Sequence, residues 1–90
     1  MQMNPSRSRA LDAAVAAEVR AEIARRKPDI TLRDVAEQIG ARRASLTAKV
    51  SGRIPFAPAE LDAVAQVFGL TASTFVLRAE AACASTKAAS

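Results

Sequence analysis

The chain has no histidine, no tryptophan, no tyrosine and one cysteine, Cys83, among its 90 residues. With no histidine and no clustered pair of acids, the usual general bases and metal ligands are missing, so an enzyme is not expected. No metal-ligand spacing and no glycine-rich phosphate loop occurs either, so the reading calls for no cofactor, no metal and no small-molecule ligand. Cys83 alone cannot close an internal disulfide. It sits in an alanine tail with no base beside it, which makes it an inert thiol suited to a reducing compartment. No apolar run approaches the about 18 residues of a membrane span. The first ten residues, MQMNPSRSRA, lack the apolar stretch of a signal peptide, so the expected location is cytoplasmic. Aromatics make up only 3% of a chain that is 50% hydrophobic. Alanine fills the difference, and such a core buries little area per residue. Stability is therefore expected to be modest, or helped by a partner.

Acidic residues are also missing from one long window. Between Gln38 and Ala59 there is none, while Arg42, Arg43, Lys49 and Arg53 are basic. A soluble helical surface normally intersperses its signs. A basic window, in a chain of net charge +4 and pI near 10.2, favours an anionic partner, nucleic acid first.

What the window contains is helical. Thr31 has the chemistry of an N-cap, with Asp34 three residues on to answer the first free amides. Leu32, Val35, Ala36 and Ile39 fall on one face. Gly40 ends that helix as a left-handed residue would. A second helix, about 42–51, buries Leu46 and Val50, and Gly52 closes it. Two short helices joined at a glycine, over 31–52, form a helix-turn-helix pattern.

The flanks read as helices too. Leu11, Val15, Val19 and Ile23 step by four through a helix from Leu11 to Lys27. Its start falls at Pro5 or at Ser8, and Pro28 stops it. Glu22 and Arg26 form an i,i+4 pair placed on the solvent side, and Arg25, Arg26 and Lys27 suit its C-terminal dipole. After Gly52, Ile54 and Phe56 are expected to turn inward from a loop. Pro58 opens a fourth helix that buries Leu61, Val64, Ala65 and Phe68 and ends at Gly69. Thr71 caps a fifth, on which Phe75 packs into the core. Ala72, Val76, Ala79 and Cys83 form a second apolar stripe there, a candidate homodimer face weighed evenly against mere exposure of small residues. The expected division is a flexible arm over 1–9, one domain over 10–82 and a disordered tail over 83–90.

The run VAEQIGARRASLTAKVSG, followed by RIP and a helix ending in VFGL, resembles the lambda-repressor-like (Cro/cI-type, XRE) DNA-binding domains over roughly Leu11 to Arg78. Two positions depart from that pattern. Arg42 stands where the family often has Ser or Thr, and Leu32 where it often has a phosphate-gripping Gln. The resemblance implies an all-α, five-helix domain and a small Cro- or repressor-like transcriptional regulator binding double-stranded DNA. It also implies a place at the nucleoid, in a host cytoplasm if the chain is phage-encoded. With Leu46 and Val50 inward, Arg42, Arg43, Ala44, Thr47 and Ala48 are expected to meet bases in the major groove. Arg33, Ser45, Lys49 and Arg53 are expected at phosphates. Arg7 and Arg9 give the arm charge to touch DNA, although a solvated tail is the simpler reading. The competing reading is a protein-interaction module, such as an antitoxin or adaptor, that docks a partner through its last helix.

Overall fold

A computed structural model describes the backbone of residues 5–89 and the side chains of residues 9–84. The described chain is all-α, with five helices: α1 (Pro5–Arg26), α2 (Leu32–Ile39), α3 (Arg43–Val50), α4 (Pro58–Val67) and α5 (Ala72–Ala89). Residues 1–4 of the expected arm lie outside the described residues, and residues 5–9 already form the start of α1. Helix α5 runs on through residues 83–89, into the segment expected to be a tail.

The start and stop of each short helix have local causes. The Thr31 hydroxyl accepts from the Asp34 amide at 3.3 Å, and an Asp34 carboxylate oxygen accepts from the Thr31 amide at 2.9 Å. This reciprocal box satisfies two of the amides that a helix start leaves free. The Thr31 hydrogen bonds hold the Asp34 carboxyl below its usual value of 3.8, the backbone amide contributing most. At the other end Gly40 adopts φ 70°, ψ 26°, a conformation costly for a residue with a Cβ. It lets α2 stop within one residue and reverse into α3.

The core joins all five helices. Val19, Val35, Val64, Ala65, Phe75 and Ala79 are fully enclosed, and Leu46 almost so. Val15, Ile23, Ala36, Val50, Leu61 and Phe68 complete it, with Leu11, Leu32, Ile39 and Phe56 among those packed at its margin. Helix α5 lies along α1 in the most extensive helix pairing, and α2 packs against α3 and α4. Phe68 meets Phe75 edge-on, ring centroids 6.4 Å apart, the geometry aromatic quadrupoles favour.

Three expectations are corrected here. Glu22 is not on the solvent side: it is 4% exposed and binds three arginines, donating partners being Arg25 Nη2 at 2.6 Å, Arg26 Nε at 2.8 Å and Arg78 Nη1 at 3.0 Å. Arg25 and Arg26 lie on the same helix as Glu22, and Arg78 of α5 adds the third partner from a distant segment. Burial pushes the Glu22 carboxyl up, but the arginine hydrogen bonds together outweigh it and leave it at about 2. Ile54 is not inward. It is 48% exposed, because the chain turns at Gly52 (φ 88°) and leaves only Phe56 at the core margin. Finally, Ala72, Val76, Ala79 and Cys83 are not a spare face. Ala79 is wholly enclosed, and Ala72 and Val76 pack on the core. The Cys83 thiol lies 3.8 Å from the Ala10 carbonyl of α1. The stripe is how α5 meets the rest of the domain.

Candidate nucleic-acid interface

Helix α3 is held from behind by two side chains. Arg20 of α1 donates through Nη1 to the Val50 carbonyl at 2.6 Å, satisfying one of the carbonyls that a helix end leaves open. Lys49 pairs with Glu60 in the first turn of α4. Leu46 and Val50 anchor the inner face. The helix start is different: Arg42 occupies the N-cap in an extended conformation and provides no side-chain cap.

The outer surface of α3 carries Arg42, Arg43, Ala44, Ser45 and Thr47, all exposed, and Arg53 is exposed in the loop that follows. Among the described residues neither Arg42 nor Arg43 has a side-chain ion pair or hydrogen bond. Arg53 Nε donates only to the Ser51 hydroxyl, at 3.3 Å. The Thr47 hydroxyl donates to the Arg43 carbonyl at 2.8 Å. Arg43 and Thr47 are spaced i,i+4 and Ala44 and Thr47 i,i+3, so Thr47 neighbours both on the helix surface.

Two expected contact residues are not on this surface. Ala48 is 8% exposed. The exit loop folds back on it: the Arg53 and Ile54 amides donate to its carbonyl at 3.0 and 3.3 Å, and the Ser51 hydroxyl at 2.9 Å. Placing the inner face by Leu46 and Val50 alone leaves out this return of the chain. Lys49 is engaged by Glu60, with its side chain 18% exposed, so its charge is answered within the fold. The sign pattern hid this, since Glu60 is the first acid after the basic window.

Arg33 belongs to a different helix. Its side chain is 74% exposed on α2 and lies 3.4 Å from Glu37, an exposed pair of small energetic consequence. Arg9 is exposed on α1, and the side chain of Arg7 is outside the described residues. Sequence reasoning missed two contributors: Arg20, which fixes the end of α3, and Ile54, an exposed apolar side chain beside Arg53. Arg20 follows Val19 of the buried stripe and gave no signal of its own. Gly52, a residue free to take positive φ, was the available signal for Ile54.

The electrostatics of this surface follow from counting. The chain has 13 basic and 9 acidic residues. Four of the bases lie in the acid-free window, so the remainder of the chain is balanced and its whole net charge resides there. With Lys49 matched by Glu60, the charges that face outward from the window are three arginines, beside small side chains and the exposed Ile54. Compared with protein-family models, curated proteins and solved structures, the chain matches none of them.

Proposed function

We propose that this chain is a small sequence-specific double-stranded DNA-binding protein of lambda-repressor-like architecture, with α3 entering the major groove and no catalytic role. The observation that carries the reading is the surface of α3: unpaired Arg42 and Arg43 at an uncapped helix start, with no carboxylate in the window. Open amides and the positive end of the helix dipole favour an anion there. Two guanidinium forks can match guanine O6 and N7 or a phosphate. The small neighbours Ala44, Ser45 and Thr47 let the helix approach base edges closely. Arg53, leaving the helix, is placed for a backbone phosphate.

Selection from a pool of randomised duplex DNA tests this. An enriched sequence supports it, and an inverted repeat with centres about 34 Å apart would add a dimer on the DNA. Binding without enrichment that vanishes as salt rises would overturn it, leaving charge attraction alone. Given an enriched site, Arg43→Ala is expected to relax preference at one base pair by about 1–3 kcal/mol. Unchanged affinity and unchanged preference would remove Arg43 from the groove.

One observation favours the second reading, a protein-docking module. Leu77 of α5 is 65% exposed, on the helix through which such a partner would attach. Loss of sequence enrichment in the selection would shift weight to that helix.

A further inference from the structure

The exposed surface of α3 has an unusually short list of chemical groups, and the list restricts which base pairs it can read. From Ile39 to Ala59 there is no Asn, Gln, Asp, Glu or His. Carboxamides read adenine at N6 and N7, and carboxylates accept from cytosine N4. Neither group is on this surface. What remains is guanidinium, methyl and hydroxyl. Of the hydroxyls, Thr47 has spent its only proton on the Arg43 carbonyl, at 2.8 Å, so it cannot donate to a base. Yet the residue is exposed, which leaves its methyl group as the part available to an apolar neighbour. Ser45 lies two residues before Thr47, at 100° per residue far around the helix from it. Arg43, Ala44 and Thr47 therefore form a contiguous surface of one planar donor, two methyl groups and one hydroxyl oxygen that can only accept.

We propose, resting on the DNA-binding reading above, that this surface recognises a guanine beside a C5-methylated pyrimidine, with A·T pairs sensed through the thymine methyl. Arg43 supplies the guanine contact. Thr47 supplies the methyl contact, its side chain fixed by the bond to the Arg43 carbonyl, so that the two readers are tied to one another. Ala44 is small enough to let both reach the groove floor.

The test uses the full chain and the duplex enriched from the randomised pool. Each thymine of that site is replaced in turn by deoxyuracil, which keeps the base pair and removes only the C5 methyl. At least one replacement is expected to weaken binding about fourfold, the effect of one methyl group withdrawn from contact. Placing 5-methylcytosine, paired with guanine, at that position is expected to bind more tightly than cytosine there. Thr47→Ser keeps the hydroxyl and deletes the methyl, and is expected to bind the thymine and deoxyuracil sites equally. A specific site whose affinity ignores every deoxyuracil replacement overturns the methyl inference while leaving specific DNA binding intact. Full sensitivity persisting in Thr47→Ser overturns the role of Thr47. No enriched site at all overturns both this inference and the reading on which it rests.

Discussion

Glu22 is where α1 and α5 are locked electrostatically. A lone buried carboxylate would be costly, and this one is stabilised by three guanidinium groups whose hydrogen bonds fill its oxygens. Arg26 does more than pair: its Nη2 donates to the Phe68 carbonyl at 3.1 Å, and its guanidinium carbon lies 5.5 Å from the centre of the Phe68 ring. The charge cluster is thus continuous with the α4–α5 corner. Its pH dependence has a definite sign. The folded carboxyl titrates at about 2, below its ordinary 4.5. Between those values the unfolded chain binds the extra proton, so stability rises with pH through that window. The contribution is fully present above 4.5 and is lost as pH falls through 2. At 1.36 kcal/mol per pH unit it amounts to roughly 3 kcal/mol. Glu22→Gln should therefore lower the urea unfolding free energy by about that amount at pH 7. The gap between variant and parent should close as pH is lowered from 4.5 towards 2. A gap that is constant over this range would mean that Glu22 acts by shape and not by charge.

At the scale of elements, α3 is short, eight residues, and isolated helices of that length are marginal in water. Its persistence depends on what grips it: Leu46 and Val50 inside, Arg20 at its end, Lys49 to α4. This separates two basic residues that look equivalent in the sequence. Lys49 is internal to the fold and Arg53 is turned outward. On the proposed DNA-binding reading, Arg53→Ala should weaken binding across all sequences, with a salt slope reduced by about 0.9. Lys49→Ala should leave the slope unchanged and instead lower the melting temperature, since it leaves Glu60 without its partner. Titrations at several salt concentrations, with melts of both variants, distinguish the two. Equal slopes for both variants, each lowered, would return Lys49 to the DNA surface. The same contrast shows what was legible in the chain. The four-residue steps of α1, the Thr31–Asp34 box and the Gly40 turn are local events, so spacing and residue type sufficed. The third partner of Glu22, Arg78, and the partner of Lys49, Glu60, come from other helices, and Ala48 is covered as the exit loop turns back on it. Spacing and residue type around Glu22 and Lys49 do not show Arg78 or Glu60 arriving, and the turn of Arg53 and Ile54 back onto Ala48 depends on the conformation taken at Gly52. Of the candidate contact residues on and after α3, Arg42, Arg43, Ala44, Ser45, Thr47 and Arg53 are exposed, whereas Ala48 is buried and Lys49 is paired with Glu60.

For the molecule as a whole, the question is what α5 does. An apolar stripe of small residues on a terminal helix invites a dimer reading, because periodicity shows that a face is apolar without showing what covers it. Here α1 covers it. Ala79 is wholly enclosed, at 0% exposure, and small size at this position lets α5 come close to its neighbours. Enlarging the side chain therefore discriminates between a core position and an interface. Ala79→Leu adds three carbon atoms to filled space, and overpacking of this kind costs about 1–3 kcal/mol. In a domain of this size each kcal/mol corresponds to about 4–8 °C in Tm. The expected result is a melting temperature lowered by several degrees and equally so at low and high protein concentration. A core defect acts on each chain alone, whereas loss of a dimer contact makes the melting shift depend on concentration by mass action. A depression confined to high concentration, accompanied by a smaller sedimenting species, would instead place Ala79 between two copies of the chain.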